Sequence, residues 1–167
     1  MGLLSTAVGA VVAAILEVSV LAQLQLAGIR PDLVLAVGIG VAMTMGFDAG
    51  IVWAFVGGLL LDVMLPERPI GSTTLAMLIA VGVSMVVARV VESPRPLVIG
   101  GTAFAVTFLY EGLLTTILAL ASGVGIGTLS LASWAAVAVM SGVIAAVTAW
   151  VIRSLLLRFG TFERVDW

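Results

Sequence analysis

Long uncharged stretches are the feature of this sequence that most restricts its fold. Charged residues divide the 167-residue chain into uncharged runs, and three of the longest cover residues 69–88, 96–110 and 112–152. Hydrophobic residues make up 62% of the chain and charged residues 10%, whereas an average soluble domain is roughly half apolar and about a quarter charged. The surface of a water-soluble globule needs more charge than this, so the sequence predicts an integral membrane protein.

The composition also excludes several kinds of chemistry. The chain has no cysteine, histidine or lysine, which removes disulfides, thiolate chemistry, histidine-based metal sites and lysine Schiff bases. Its net charge of −2 and the lack of a basic cluster argue against binding to nucleic acid. Hydroxyl groups have no histidine or lysine to activate them, and the carboxylates are not paired on one helix. We therefore expect no catalytic residues, no cofactor, no metal and no enzymatic activity.

Apolar segments predict six transmembrane helices within a single domain, residues 1–167. A spanning helix needs about 20 predominantly apolar residues. Residues 33–65 are ambiguous, because one helix of that length would measure roughly 50 Å. The turn-like residues 46–50 favour two short helices, with Asp48 as the cap of the second. The predicted helices cover residues 3–27, 32–46, 49–65, 70–90, 97–121 and 131–157.

Local signals predict the helix starts and the orientation. Asp32 is the expected cap of the second helix, Ser72 of the fourth, and Ser93 of the fifth, with Pro94 in its first position. Arginines favour the cytoplasmic side, and six helices put five of the seven inside, whereas a five-helix alternative puts six inside. Both arrangements place the C-terminus in the cytoplasm of a bacterium and make the protein a multi-pass protein of the inner membrane.

A group of motifs between residues 30 and 75 is more specific. Arg30-Pro31-Asp32-Leu33 precedes a hydrophobic run, and Gly57-Gly58-Leu59-Leu60-Leu61-Asp62 is followed by a proline-bearing loop that ends at Pro69-Ile70-Gly71. This pattern resembles the rod shape-determining protein MreD family. The resemblance implies an all-α fold of six transmembrane helices, similar to the substrate-binding component of energy-coupling-factor vitamin transporters.

The same resemblance implies a function and partners. Members of the family are non-enzymatic scaffolds of the rod (elongation) complex, which controls cell shape and peptidoglycan synthesis. The implied partners are the membrane helix of an MreC-like single-span protein, MreB filaments, and the RodA glycosyltransferase with its transpeptidase partner. Two other functions remain open: the substrate-binding component of a vitamin-type transporter, and an accessory subunit of a larger membrane assembly.

Polar and small residues inside the predicted helices are the candidate functional residues. Glu17 and Glu111 lie near the middle of apolar helices, where a charge costs at least about 2.5 kcal/mol, so both are expected to be protonated. Each could form an internal hydrogen bond, contact a partner helix or belong to a proton path. Asp62 is expected near the outer interface, in an ion pair with Arg30 or Arg68 or facing a partner.

Small residues recur at a spacing of four along the second and third helices, which lets helix backbones approach closely in lipid. This spacing is typical of internal packing and equally of a docking groove for a foreign helix. Tryptophans and Tyr110 are expected at the membrane interface. The candidate partner-binding residues are Arg30, Asp32, Gly50, Ala54, Gly58, Asp62 and Gly71.

Overall fold

Six helices account for most of the chain in the computed structural model, which describes residues 2–21, 32–65, 69–91, 96–122 and 131–159. The first helix ends its α-helical part at Leu16 and continues as one π-helical turn, Glu17–Leu21. Each predicted helix is present, with its ends moved by a few residues; residues 22–27 of the first prediction lie outside the described residues. The helices are α1 (Leu3–Leu16), α2 (Leu33–Met45), α3 (Phe47–Met64), α4 (Ser72–Val90), α5 (Pro96–Ser122) and α6 (Leu131–Phe159).

The ambiguous segment 33–65 is broken into two helices at Gly46, which confirms the six-helix prediction. Gly46 has φ 97°, a left-handed backbone angle that favours glycine, and it is both the last cap of α2 and the first cap of α3. The predicted capping role of Asp48 is wrong. Asp48 is the second residue of α3 and is exposed, and the start of α3 has no side-chain cap.

Helix α2 is the centre of the bundle. It packs against all five other helices, and nine of its thirteen residues are buried. The remaining contacts form an arc around it, in which α1 packs on α3, α3 on α4, α4 on α5, and α5 on α6. Contacts between Gly50 and Ala42 and between Gly58 and Thr74 show that α3 runs antiparallel to both α2 and α4. The bundle therefore has a Gly46 end and an opposite Asp62 end.

The helices around α2 turn apolar side chains outward. On α3, Phe47, Phe55 and Val63 are exposed by 47%, 51% and 65%, and they share one face with Ile51 and Leu59. Water makes such a surface unfavourable, whereas hydrocarbon does not. Four helices are long and apolar enough to cross a membrane, and α1 and α2 are shorter apolar helices. These features indicate a multi-pass membrane protein.

Two of the other predicted helix starts are within the described residues, and only one of them is correct. Asp32 caps α2 as expected, because its Oδ1 accepts a hydrogen bond from the backbone N–H of Leu35 at 2.9 Å. Ser72 does not cap α4; Gly71 is in the cap position and Ser72 is already helical. Helix α5 begins at Pro96, and the predicted capping residues Ser93 and Pro94 lie outside the described residues.

Candidate functional site

The largest set of polar contacts described in the bundle surrounds the Asp62 carboxylate at the start of α4. Its Oδ1 accepts from the backbone N–H of Thr73 at 2.8 Å and from the Ser72 hydroxyl at 3.4 Å. Its Oδ2 accepts from the N–H of Gly71 at 3.0 Å, and from the N–H and hydroxyl of Thr74 at 3.0 and 2.7 Å. Asp62 thus caps α4 from the end of α3, which explains why α4 has no cap of its own.

Close approach of α3 and α4 makes this cap possible. A Cβ atom at Gly58 would lie 2.7 Å from the Cα of Thr74, so only glycine allows the two backbones to come this near. Gly71 has φ +95° and turns the chain into α4 with its N–H toward Asp62. Asp62 is 2% exposed, so its expected position at the outer interface is wrong. Its expected ion-pair partners, Arg30 and Arg68, lie outside the described residues.

A second carboxylate caps a helix from a distance. The Oε2 of Glu17 accepts from the backbone N–H of Val34, in the first turn of α2, at 2.7 Å. Together with Asp32 it satisfies two adjacent N–H groups that have no partner within the helix. Glu17 therefore forms an internal hydrogen bond, but to a backbone amide rather than to Glu111 or a hydroxyl group. The helix dipole also favours a carboxyl group at this position.

Trp53 holds the other side of the same backbone unit. Its indole N–H donates to the carbonyl oxygen of Val34 at 2.9 Å. The ring lies between two helices, where Cβ atoms at Gly9 and Gly38 would come within 2.9 and 2.7 Å of it. Trp53 is 6% exposed, so the expectation that it belongs to the interfacial belt is wrong. Val34 thus connects α1, α2 and α3 through one N–H and one carbonyl group.

Tyr110 and Glu111 are adjacent residues of α5 with different surroundings. Tyr110 is 1% exposed, so its expected interfacial position is also wrong, because its ring packs in the core. Glu111 is half-buried. The structure does not choose between the three roles proposed for Glu111 from the sequence.

The small residues predicted to form packing stripes contact other helices of the same chain. A Cβ atom at Gly50 would come within 2.7 Å of the Ala42 side chain and 3.2 Å of Val81. Ala54 is fully buried, and Gly58 faces the backbone of Thr74. Gly50, Ala54, Gly58 and Asp62 therefore lie inside the bundle and do not form an outward-facing surface.

Several contacts at this site had no signal in the sequence. Nothing in the spacing of Thr73 and Thr74 marks them as donors to a carboxylate eleven or twelve residues earlier. The Trp53 contact joins residues nineteen apart and depends on how α1 and α2 pack. An N-terminal turn that lacks a capping residue of its own is the one local sign that another helix supplies the acceptor.

The carboxylates of the described residues do not gather into a metal site. A search of those residues finds no group of three histidine, cysteine, aspartate or glutamate side chains that could hold a metal ion. Asp62 and Glu17 each use their oxygen atoms on helix amides instead. The described polar contacts hold helices together.

No protein-family model, curated protein or solved structure matches this chain. The arguments about its function therefore rest on its own residues, on their contacts and on the motifs between residues 30 and 75.

Proposed function

We propose that the protein is a non-enzymatic scaffold of the bacterial rod complex, embedded in the inner membrane, that docks the single membrane helix of an MreC-like protein. The motif resemblance supports the family, and the six-helix bundle agrees with what that family implies. The proposal carries with it a fold like that of the vitamin-transporter substrate-binding component. It also includes MreB filaments and RodA with its transpeptidase partner as further members of the complex.

The incomplete arc around α2 is the observation that carries the docking proposal. About six helices of equal diameter fit around one, and five surround α2. Among the described residues, α1 and α6 share no extensive contact, so the arc is open between them. The opening has the width of one helix, which fits a single-span partner better than a folded domain.

One face of α2 supports this location. Leu33, Val37 and Thr44 are half-buried, whereas most of α2 is buried. At 100° per residue these three positions fall within about 40° of one another, so they form one stripe. We assign this stripe, rather than the small-residue stripes, to the partner helix. Gly58 and Gly50 then act indirectly, by fixing the positions of α3 and α4 around α2.

Orientation follows from the same arrangement. Arg89 and Arg153 lie at the Gly46 end of the bundle and are exposed. Arginine favours the cytoplasmic side, so we place the Gly46 end in the cytoplasm and the Asp62 end outside. The two carboxylate caps of α2 and α4 are then at the outer end.

Val37→Phe is the variant that tests the docking surface. A larger side chain on the stripe should hold the partner helix away, and overpacking typically costs about 1–3 kcal/mol, or about five- to 150-fold in affinity. Co-purification with an MreC-like protein from mild detergent is the measurement. Val139→Phe is the matched control, because Val139 is 54% exposed on α6. The control should bind as the wild type does.

Three outcomes would contradict parts of the proposal. A folded Val37→Phe variant that binds the partner normally would remove this stripe from the interface. A wild-type protein that captures no MreC-like protein would end the scaffold proposal. Retention of a small ligand or a transporter ATPase in its place would support the transporter alternative. Monodispersity in detergent shows that each variant is folded.

A further inference from the structure

The outward-facing apolar stripes of the bundle differ in length. On α3 the stripe runs from Phe47 to Val63, and on α4 from Leu75 to Val90, which at 1.5 Å per residue is about 24 and about 22 Å. On α1 it runs from Leu3 to Leu16, about 20 Å. On α5 the exposed residues extend from Leu97 to Leu120, about 35 Å. The stripes of three adjacent helices are therefore about 10–15 Å shorter than that of α5.

Polar residues limit the short stripes. Asp48 is exposed at the start of α3, and Arg89 is exposed at the end of α4. Both lie at the Gly46 end, so hydrocarbon cannot extend past them without covering a charge. Glu17 follows the last residue of the α1 stripe. Hence the short length of this sector, α1 with α3 and α4, is set by charge and not only by helix ends.

We propose that this sector is a lipid-facing surface matched to a bilayer whose hydrocarbon layer is thinner than usual. A typical hydrocarbon core is about 30 Å thick, which exceeds the stripes of the sector by about 6–10 Å. A short hydrophobic surface thins the adjacent bilayer or is stabilised in a thin one. Helix α5 reaches across a normal bilayer with a moderate tilt. The occupant of the sector is therefore lipid with short acyl chains.

Reconstitution into vesicles of defined thickness tests this inference. The series comprises dimyristoleoyl-, dipalmitoleoyl-, dioleoyl- and dierucoyl-phosphatidylcholine, with the thermal unfolding midpoint followed by circular dichroism. We expect the highest midpoint in one of the two thinner bilayers and a fall of at least about 5 °C toward the thickest. A midpoint that is highest in dioleoyl- or dierucoyl-phosphatidylcholine would overturn the inference.

A pair of variants tests whether charge sets the short length. Asp48→Leu combined with Arg89→Leu lengthens the apolar surface of α3 and α4, so the preferred bilayer should become thicker. Arg153→Leu is the matched control, because it removes an exposed charge from α6, outside the sector. Its preferred bilayer should equal that of the wild type. An unchanged preference in the double variant would refute the role of these charges, and the wild-type series decides the inference even if that variant does not fold.

Discussion

Removing the Asp62 carboxylate should destabilise the bundle more than any other single change to an acidic side chain described here. Asp62→Ala leaves the amides of Thr73 and Thr74 in a buried position without their acceptor. An unsatisfied buried donor costs about 1–3 kcal/mol, so the two amides together should lower the free energy of unfolding by about 2–6 kcal/mol. Native proteins have only about 5–15 kcal/mol in total, so the effect is large.

The measurement is thermal unfolding in mild detergent, followed by circular dichroism. For a chain of this size about 1 kcal/mol corresponds to about 2–4 °C, so the midpoint should fall by at least about 4 °C. Asp62→Asn keeps one carboxyl-type oxygen but turns an amide N–H₂ toward a donor, and it should be intermediate.

Asp48→Ala is the matched control for this change. Asp48 lies on the same helix but is exposed, and the start of α3 has no side-chain cap. Its loss should lower the free energy of unfolding by about 1 kcal/mol or less, through the helix dipole alone. Equal midpoints for Asp62→Ala and Asp48→Ala would refute the assignment of Asp62 as the cap of α4.

Two further predictions use pairs of variants. Gly58→Ala should destabilise the protein by about 1–3 kcal/mol, because its Cβ would press on the Thr74 backbone, whereas Gly82→Ala on α4 meets no atom within 4 Å and should be neutral or stabilising by up to about 1 kcal/mol. Thermal unfolding distinguishes them, and equal effects would contradict the close approach of α3 and α4. Glu17→Gln keeps an acceptor for the Val34 amide and should be tolerated, whereas Glu17→Leu should lose about 1–3 kcal/mol. If Gln and Leu destabilise to the same degree, the hydrogen bond is not what Glu17 contributes.

Local sequence signals predicted the helices well, and they predicted the caps only in part. Gly46 interrupts an apolar run, and Asp32 precedes one, so both are visible within a few residues. The role of Asp48 was wrong because Gly46 alone makes the break, which leaves Asp48 inside the helix. Ser72 was wrong for a different reason, since a residue ten positions earlier already satisfies the start of α4.

The contacts of the candidate site depend on three-dimensional packing, and for that reason the sequence did not predict them. Glu17 reaches an amide seventeen residues later, and this requires that α1 lie beside the start of α2. Small residues showed that helices approach closely but not which helix each one meets. Hydropathy likewise identified Trp53 as an amphipathic side chain, whereas its position depends on two glycines from other helices.

The position of Trp53 between Gly9 and Gly38 has a consequence for sequences related to this one. The ring fills the volume that two Cβ atoms would otherwise occupy, so the three positions cannot vary independently. A chain with a larger residue at position 9 or 38 should carry a smaller one at position 53, and it would then need another donor for the Val34 carbonyl. Pairwise substitution patterns at these positions would therefore record how α1, α2 and α3 are packed.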